Sequence, residues 1–354
     1  METQPLLGSQ GAQQNAGFWV SVRRGLLILF WASFVGVTIF AIFLLVQAYE
    51  PPPHNVWHQR RVICRHEGRT DVTPRIQEAS ALGCGGLIFT QEEVNTPGLT
   101  ALVAEGKRYG VRIILEVPIL VEYNGRQLQR LKEEARSWME DGASGFLLLG
   151  GQRATVQMVS QMLQDGVETV SGEERLILLP DWLCEDVETP RNKSHLLRTC
   201  PLPDWNLQNA TVGAEIKDVA WEVESGDTNA LRQFLALTLP GTIILSLNQS
   251  VPPPSWLRSL LLIRFQNPAL YTGWLQLTSN GSSYSALLSW GCSTLLVAIS
   301  HSDQSHNVSL HLPHFSASAK LLLSTVRGRN QGQVLQDIVQ LAAGEAQLLR
   351  LTPV

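Results

Sequence analysis

The 354-residue sequence has little charge: Asp, Glu, Lys and Arg make up 16% of it and leave a net charge of -4. Its basic residues are scattered along the chain, so no basic face is offered to a phosphate backbone, and no nucleic acid partner is expected. Cysteine is also scarce. The five present (Cys64, Cys84, Cys184, Cys200 and Cys292) form no CxxC pair and no Cys/His spacing that closes a zinc site. His301, His306, His311 and His314 follow one another at intervals that repeat no ligand pattern, so no metal is expected there either. The sequence lacks a G-x-S-x-G elbow, a P-loop and a G-x-G-x-x-G after a strand, so it implies no cofactor. What it does not lack is apolar residues, at 44%, enough to bury a substantial core and to make disorder the wrong default. Trp138, Trp182, Trp205 and Trp221 are scattered and read as core packing in preference to a sugar cleft.

One long absence of charge lies near the N-terminus. From Gly25 to Val46, 22 residues pass without Asp, Glu, Lys, Arg or His, which at helical rise reaches about 33 Å, enough for a hydrocarbon core of about 30 Å. The run is longer than the apolar core of a cleaved signal peptide and leads into Gln47, Ala48, Tyr49, Glu50 and three prolines, so it reads as an uncleaved anchor. Arg23 and Arg24 abut its N-terminal end and Glu50 lies beyond the other, which places the N-terminus in the cytosol and predicts type II topology. The expected organisation is a cytoplasmic tail over 1–24, a span over 25–46 and a neck over 47–60.

Five N-x-S/T sequons, at Asn192, Asn209, Asn248, Asn280 and Asn307, all follow the span and agree with an extracellular or lumenal C-terminal part. In that oxidising setting Cys184 and Cys200 are near enough in sequence to pair across one loop, and the odd cysteine count leaves at least one thiol free or intermolecular. Within the span Ala32 and Gly36 make a small-xxx-small pair that would admit a second helix closely. In the tail, Glu2-Thr-Gln-Pro-Leu6-Leu7 fits an acidic dileucine sorting signal, so the destination is the plasma membrane or an endosomal or lysosomal membrane.

After the neck, short apolar runs alternate with helical stretches. The runs are Val62 to Cys64, Gly86 to Phe89, Val111 to Val117, Gly145 to Leu149 and Leu176 to Leu179, each of a length and character suited to a buried parallel strand. Helical periods over 126–140 and 154–165 separate the last three, giving βαβ units. A proline-containing loop is expected from Glu185 to Asn209, then a helix over 229–239 that ends at Pro240-Gly241 before a strand over 242–247. From about Tyr271 the pattern changes to strands at 289–299, 308–312, 320–324 and 347–351, a small antiparallel β domain.

At these residues the chain resembles the ancillary heavy chains of heteromeric amino-acid transporters, the solute carrier family 3 type, which are themselves similar to α-amylase-like glycoside hydrolases. The segments that carry the resemblance are Gly110 to Val117, Asp141 to Phe146, Leu237 to Ser246, Lys320 to Thr325 and Gly344 to Leu351, in the same order and behind the same kind of anchor. The resemblance implies an α/β fold: an N-terminal transmembrane helix, a shortened (β/α) TIM-like barrel over 61–265, and an antiparallel β domain over 266–354. About 205 residues fall short of the roughly 250 of an eight-unit barrel, so units are expected to be trimmed between Leu183 and Thr228.

A retaining glycosidase needs a nucleophilic and an acidic carboxylate about 5 Å apart. The resemblance places the nucleophile within Gly145-Phe146-Leu147-Leu148-Leu149 and the acid after Leu178-Leu179-Pro180, and neither segment carries a carboxylate; Asp181 is out of register. Leu247-Asn248-Gln249 stands where many relatives have Gly-Asp-Glu. Glu116 matches the third-strand aspartate, but Leu120 and Val121 replace the polar residues beyond it. The chain is therefore expected not to be an enzyme. It would be a heavy-chain subunit that associates with a multi-spanning amino-acid transporter light chain and supports its trafficking and stability. The alternatives are a membrane-anchored glycoside hydrolase and a type II adhesion or lectin-like receptor. In the family a neck cysteine links the two chains covalently, but Gln47 to Gln59 contains none; the position falls near Ala48 or Tyr49, and the nearest cysteine is Cys64. Cys64 could serve as the interchain cysteine if exposed, the other reading being a buried strand thiol.

Overall fold

The computed structural model describes residues 10–48, 57–67, 71–95, 98–169, 175–180, 196–201, 219–224, 230–248, 252–279, 283–311 and 315–353. The chain divides into two compact units, Met1–His54 and Asn55–Val354.

The first unit contains helix α1, Gln10–Ala48, 39 residues without a proline, so it extends well upstream of the expected start at Gly25. Its stretch Val22–Ala41 is long and apolar enough to cross a membrane, with a mean hydropathy of 1.8 and none of it buried. The two hydroxyls in that stretch are satisfied locally: the Ser33 hydroxyl donates to the Phe30 carbonyl at 3.0 Å and the Thr38 hydroxyl to the Phe34 carbonyl at 2.8 Å. That arrangement suits an apolar solvent, where an unpaired hydroxyl is costly.

The second unit opens with a parallel barrel. Its strands are β1 (Ile63–Glu67), β2 (Gly86–Thr90), β3 (Arg112–Ile119), β4 (Gly145–Gly150), β5 (Leu176–Leu179), β6 (Leu196–Pro201), β7 (Val219–Glu224) and β8 (Thr242–Asn248). They pair in sequence order, and β8 closes back on β1 with Ile244 opposite Ile63 and Asn248 opposite Glu67. The helices are α2 (Trp57–Arg60), ahead of β1, then α3 (Val72–Leu82), α4 (Gln91–Asn95), α5 (Leu99–Tyr109), α6 (Gly125–Glu140), α7 (Arg153–Thr169), α8 (Ala230–Thr238) and α9 (Leu257–Gln266).

Local chemistry sets the helix limits. Helix α6 begins in a capping box, in which the Asn124 side chain accepts from the Gln127 N–H at 2.9 Å and the Gln127 side chain accepts from the Asn124 N–H at 3.0 Å. Its buried stripe is Leu131, Ala135 and Met139, one residue per turn. Helix α5 stops at Gly110, whose φ of 69° is readily adopted only by glycine.

Two expectations are corrected here. The barrel is not short of strands: eight are present, and the loop expected over 185–209 contains β6. Strand β6 escaped the sequence reading because Leu-Leu-Arg-Thr-Cys-Pro is not a continuous apolar run, and its closing proline is a usual breaker.

The β domain follows α9. Strands β9 (Trp274–Ser279), β10 (Ser283–Trp290), β11 (Ser293–Ser300), β12 (His306–Ser309), β13 (Phe315–Ser324), β14 (Val334–Gln336), β15 (Ile338–Leu341) and β16 (Ala346–Pro353) form a six-stranded sheet in the order β14-β13-β16-β11-β10-β9 and a two-stranded sheet of β12 and β15. Residues 289–299, expected as one strand, instead form the end of β10, a turn at Gly291-Cys292 and most of β11, because Gly291 takes a φ of 54° and reverses the chain. At the far end of β11, where the Ser300 N–H donates to the Glu345 carbonyl, the buried Glu345 carboxylate accepts from Arg329 at 2.8 Å, the Ala342 N–H at 2.7 Å, Ser324 at 2.7 Å and Gln347 at 2.8 Å. Burial would raise its pKa, but these donors outweigh burial and hold it below the ordinary carboxylate value.

Arg264 on α9 holds the start of β8 and the approach to the β domain together. Its side chain is fully buried and donates to the carbonyls of Leu237 (2.9 Å), Leu239 (2.8 Å), Leu270 (2.8 Å), Gln59 (3.2 Å) and Gly241 (2.6 Å). Desolvation lowers its pKa to about 9, and Tyr271 opposes the shift. A planar fork meets five carbonyls where a lysine would meet three at most.

Cys64 is corrected as well. It is fully buried and forms a disulfide with Cys84, joining β1 to the turn before β2 across a Cα separation of 6.0 Å. It is therefore not available as an interchain cysteine. Cys200 is disulfide-bonded, and Cys184, its expected partner, lies outside the described residues. Cys292, in the β10–β11 turn, is free and exposed.

Candidate functional site: the C-terminal mouth of the barrel

A barrel strand alternates between the inside and the helix layer. The inside is a buried apolar cluster that includes Ile63, Ile88, Ile114, Leu147, Leu178 and Ala220. Two residues further along their strands, and so on the same inner face, Ile63 is followed by Arg65, Ile114 by Glu116 and Ala220 by Glu222. Arg65 donates to Glu116 at 2.8 Å and lies 3.5 Å from Glu222, with side-chain exposures of 28%, 14% and 34%. All three come from odd-numbered strands, the way one layer of a barrel interior is filled.

Chemically, this layer is a guanidinium held between two carboxylates. Two carboxylates working on one glycosidic bond need a sugar between them, and here Arg65 contacts both. The neighbouring inward positions on β4 and β5 are aliphatic: Leu147 and Leu178 are buried, and Leu149 packs against the same cluster. Beyond β3 the chain exposes Leu120 and Val121. No group of three or more His, Cys, Asp or Glu suited to a metal occurs among the described residues.

The remaining candidates are dispersed. Asn248 ends β8 at this mouth, and Asn307 is exposed on β12. Asn192, Asn209 and Asn280 lie outside the described residues, as do Glu2, Leu6 and Leu7, Asp181, Trp182, Trp205 and His314. Ala32 and Gly36 are exposed on α1, and a side chain added at Gly36 would meet nothing within 4 Å. Trp138 packs against Phe146 with ring centroids 6.2 Å apart, and Trp221 donates to the Pro240 carbonyl at 3.2 Å, so both belong to the core. His306 bonds Ser302 at 2.7 Å and His311 lies 3.7 Å from Asp337.

Glu222 escaped the sequence reading. The signal was available in Val219-Ala-Trp-Glu-Val-Glu224, where Val219, Trp221 and Val223 turn to the helix layer and Ala220 and Glu222 turn inward.

Compared with solved structures, the chain aligns along most of its length with sugar-acting enzymes. AmyP in complex with maltose superposes with a TM-score of 0.63 at 11% identity, covering 84% of this chain and 97% of that one. The α-amylase of Geobacillus thermoleovorans complexed with acarbose gives 0.57 at 11% identity, covering 83% and 99%. A trehalulose synthase MutB mutant gives 0.55 at 11% identity, covering 84% and 100%. The fold is amylase-like. At such identities the likeness concerns the fold alone, and it puts the mouth described above where an amylase-like barrel presents its site. No protein-family model and no curated protein matches the sequence.

Proposed function

We propose that this chain is a non-catalytic, membrane-anchored subunit that associates with a multi-spanning amino-acid transporter and supports its trafficking and stability. The observation that carries the non-catalytic part is Arg65 wedged between Glu116 and Glu222, with Leu147 and Leu178 filling the neighbouring inward positions. Hydrolysis at an anomeric carbon needs one carboxylate to attack and another to donate a proton, and the inward positions of β4 and β5 supply neither. An amylase-like barrel behind one long apolar helix, together with the resemblance to transporter heavy chains, supports the partner. Arg23 and Arg24 before the apolar run, and sequons only after it, support a cytosolic N-terminus and an extracellular or lumenal C-terminus.

With Cys64 closed in its own disulfide, the association in this reading is noncovalent through that residue and rests on α1 and on surfaces of the second unit. The test is purification from mild detergent followed by mass spectrometry of whatever remains bound. A multi-spanning transporter in stoichiometric yield is the expected result, and recovery without any membrane partner overturns the reading. A membrane-anchored glycoside hydrolase is the second reading, favoured by the two carboxylates at the mouth. Release of reducing sugar from maltotriose by the full chain, lost in Glu116→Gln, would decide for it.

A further inference from the structure

At the other end of the barrel, where the strands begin, a cavity of about 370 Å³ is lined by Arg60, Arg61 and Arg112 and by the rings of Trp57 and Phe265. Each guanidinium is oriented. Arg60 stacks 4.0 Å from the Phe265 ring centre and its Nε donates to the Phe265 carbonyl at 3.1 Å. Arg61 lies 4.7 Å from the same ring and donates to the Gly110 carbonyl at 3.3 Å. Arg112 lies 4.9 Å from the Trp57 ring. The backbone leaves room for them, since a side chain at Gly85 would come within 2.4 Å of the Arg61 Cβ.

Among the described residues, no Asp or Glu lines this cavity. Three cationic side chains converge there, and Arg60 and Arg61 each commit one of about five N–H donors to a carbonyl. Stacking on a ring fixes a guanidinium plane while leaving its edge for a ligand. The volume is at the small end of ligand sites, which run from about 300 to 1,000 Å³. A carboxylate offers about four lone-pair sites confined to one plane, whereas a phosphate group presents oxygens in several directions to converging guanidiniums. We propose that this cavity binds the phosphate group of a small ligand, gripped by Arg60, Arg61 and Arg112.

The phosphate could belong to a free phosphate ester or to a lipid headgroup, and one experiment separates the two. The full chain in neutral detergent and phosphate-free buffer is titrated calorimetrically with inorganic phosphate in one arm and with dihexanoyl phosphatidic acid in the other. Saturable binding is expected to weaken about tenfold or more in Arg60→Gln/Arg61→Gln, and to be unchanged in Arg327→Gln, a change at an exposed arginine of the β domain. Binding of phosphate itself assigns a free ester, and binding of the lipid alone assigns a headgroup. Absence of saturable binding in both arms, or equal binding by wild type and the double variant, overturns the site. Should the double variant unfold, Arg61→Gln alone, which loses one hydrogen bond, provides the same comparison.

Discussion

Arg65 on β1 reaches across β2 to donate to Glu116 on β3 at 2.8 Å. The pair spans the barrel interior where an amylase-like enzyme would hold its substrate, with Glu222 of β7 on the other side of the guanidinium. These groups are only partly buried, so solvent screens the attraction and a modest energy is expected. In a double-mutant cycle of Arg65→Met and Glu116→Leu, urea denaturation should give a coupling of about 0.5–1.5 kcal/mol, falling as salt is added. A coupling indistinguishable from zero would make the contact incidental.

Arg264 is expected to be among the most sensitive positions in the second unit. Replacing it with methionine leaves five carbonyls, four of them buried, without this donor, at a cost of about 3–5 kcal/mol. Lysine should rescue only part of this, because it brings three donors and no planar fork. The check is the shift in thermal midpoint of the two variants against wild type; equal behaviour of lysine and wild type would show that charge alone is needed.

Removing the Cys64–Cys84 disulfide as Cys64→Ala/Cys84→Ala closes off a constraint spanning 20 residues, and a loss of about 3 kcal/mol follows from the chain-entropy model. On non-reducing gels the same variant should retain any reducible heteromer the wild type forms. Loss of such a heteromer would mean that Cys64 does exchange between chains.

Glu345 gives the β domain a predictable acid sensitivity. Its folded pKa lies below the ordinary value of 4.5, so the unfolded chain takes up the proton first as pH falls. The stabilisation is complete above about pH 4.5 and is lost as pH drops through the depressed folded value. Urea midpoints measured at pH 7, 4 and 3 should fall for wild type, while Glu345→Gln starts lower and changes less over that window. Parallel curves for the two proteins would remove Glu345 as the source.

Much of the fold was written in local pattern. The uncharged run from Gly25, the apolar strands up to Leu179, the Asn124 cap of α6 and the glycine at 110 act over a few residues, and each declares itself in sequence. Strands β6 and β7 did not, because Arg198, Thr199 and Glu222 interrupt their apolar character, and only closure of the barrel makes them strands. The hairpin at Gly291 was hidden for a related reason: apolar residues on both sides of the turn read as one run.

By itself the sequence determined the apolar helix, the parallel-then-antiparallel order of the chain and the leucines on the fourth and fifth strands. Tertiary structure alone decided which cysteine Cys64 joins, that Glu116 and Glu222 share one arginine, and that Arg60, Arg61 and Arg112 line one cavity. The reason is separation along the chain. Period and composition report neighbours within a turn or a strand, whereas these groups meet only once eight strands have closed on one another.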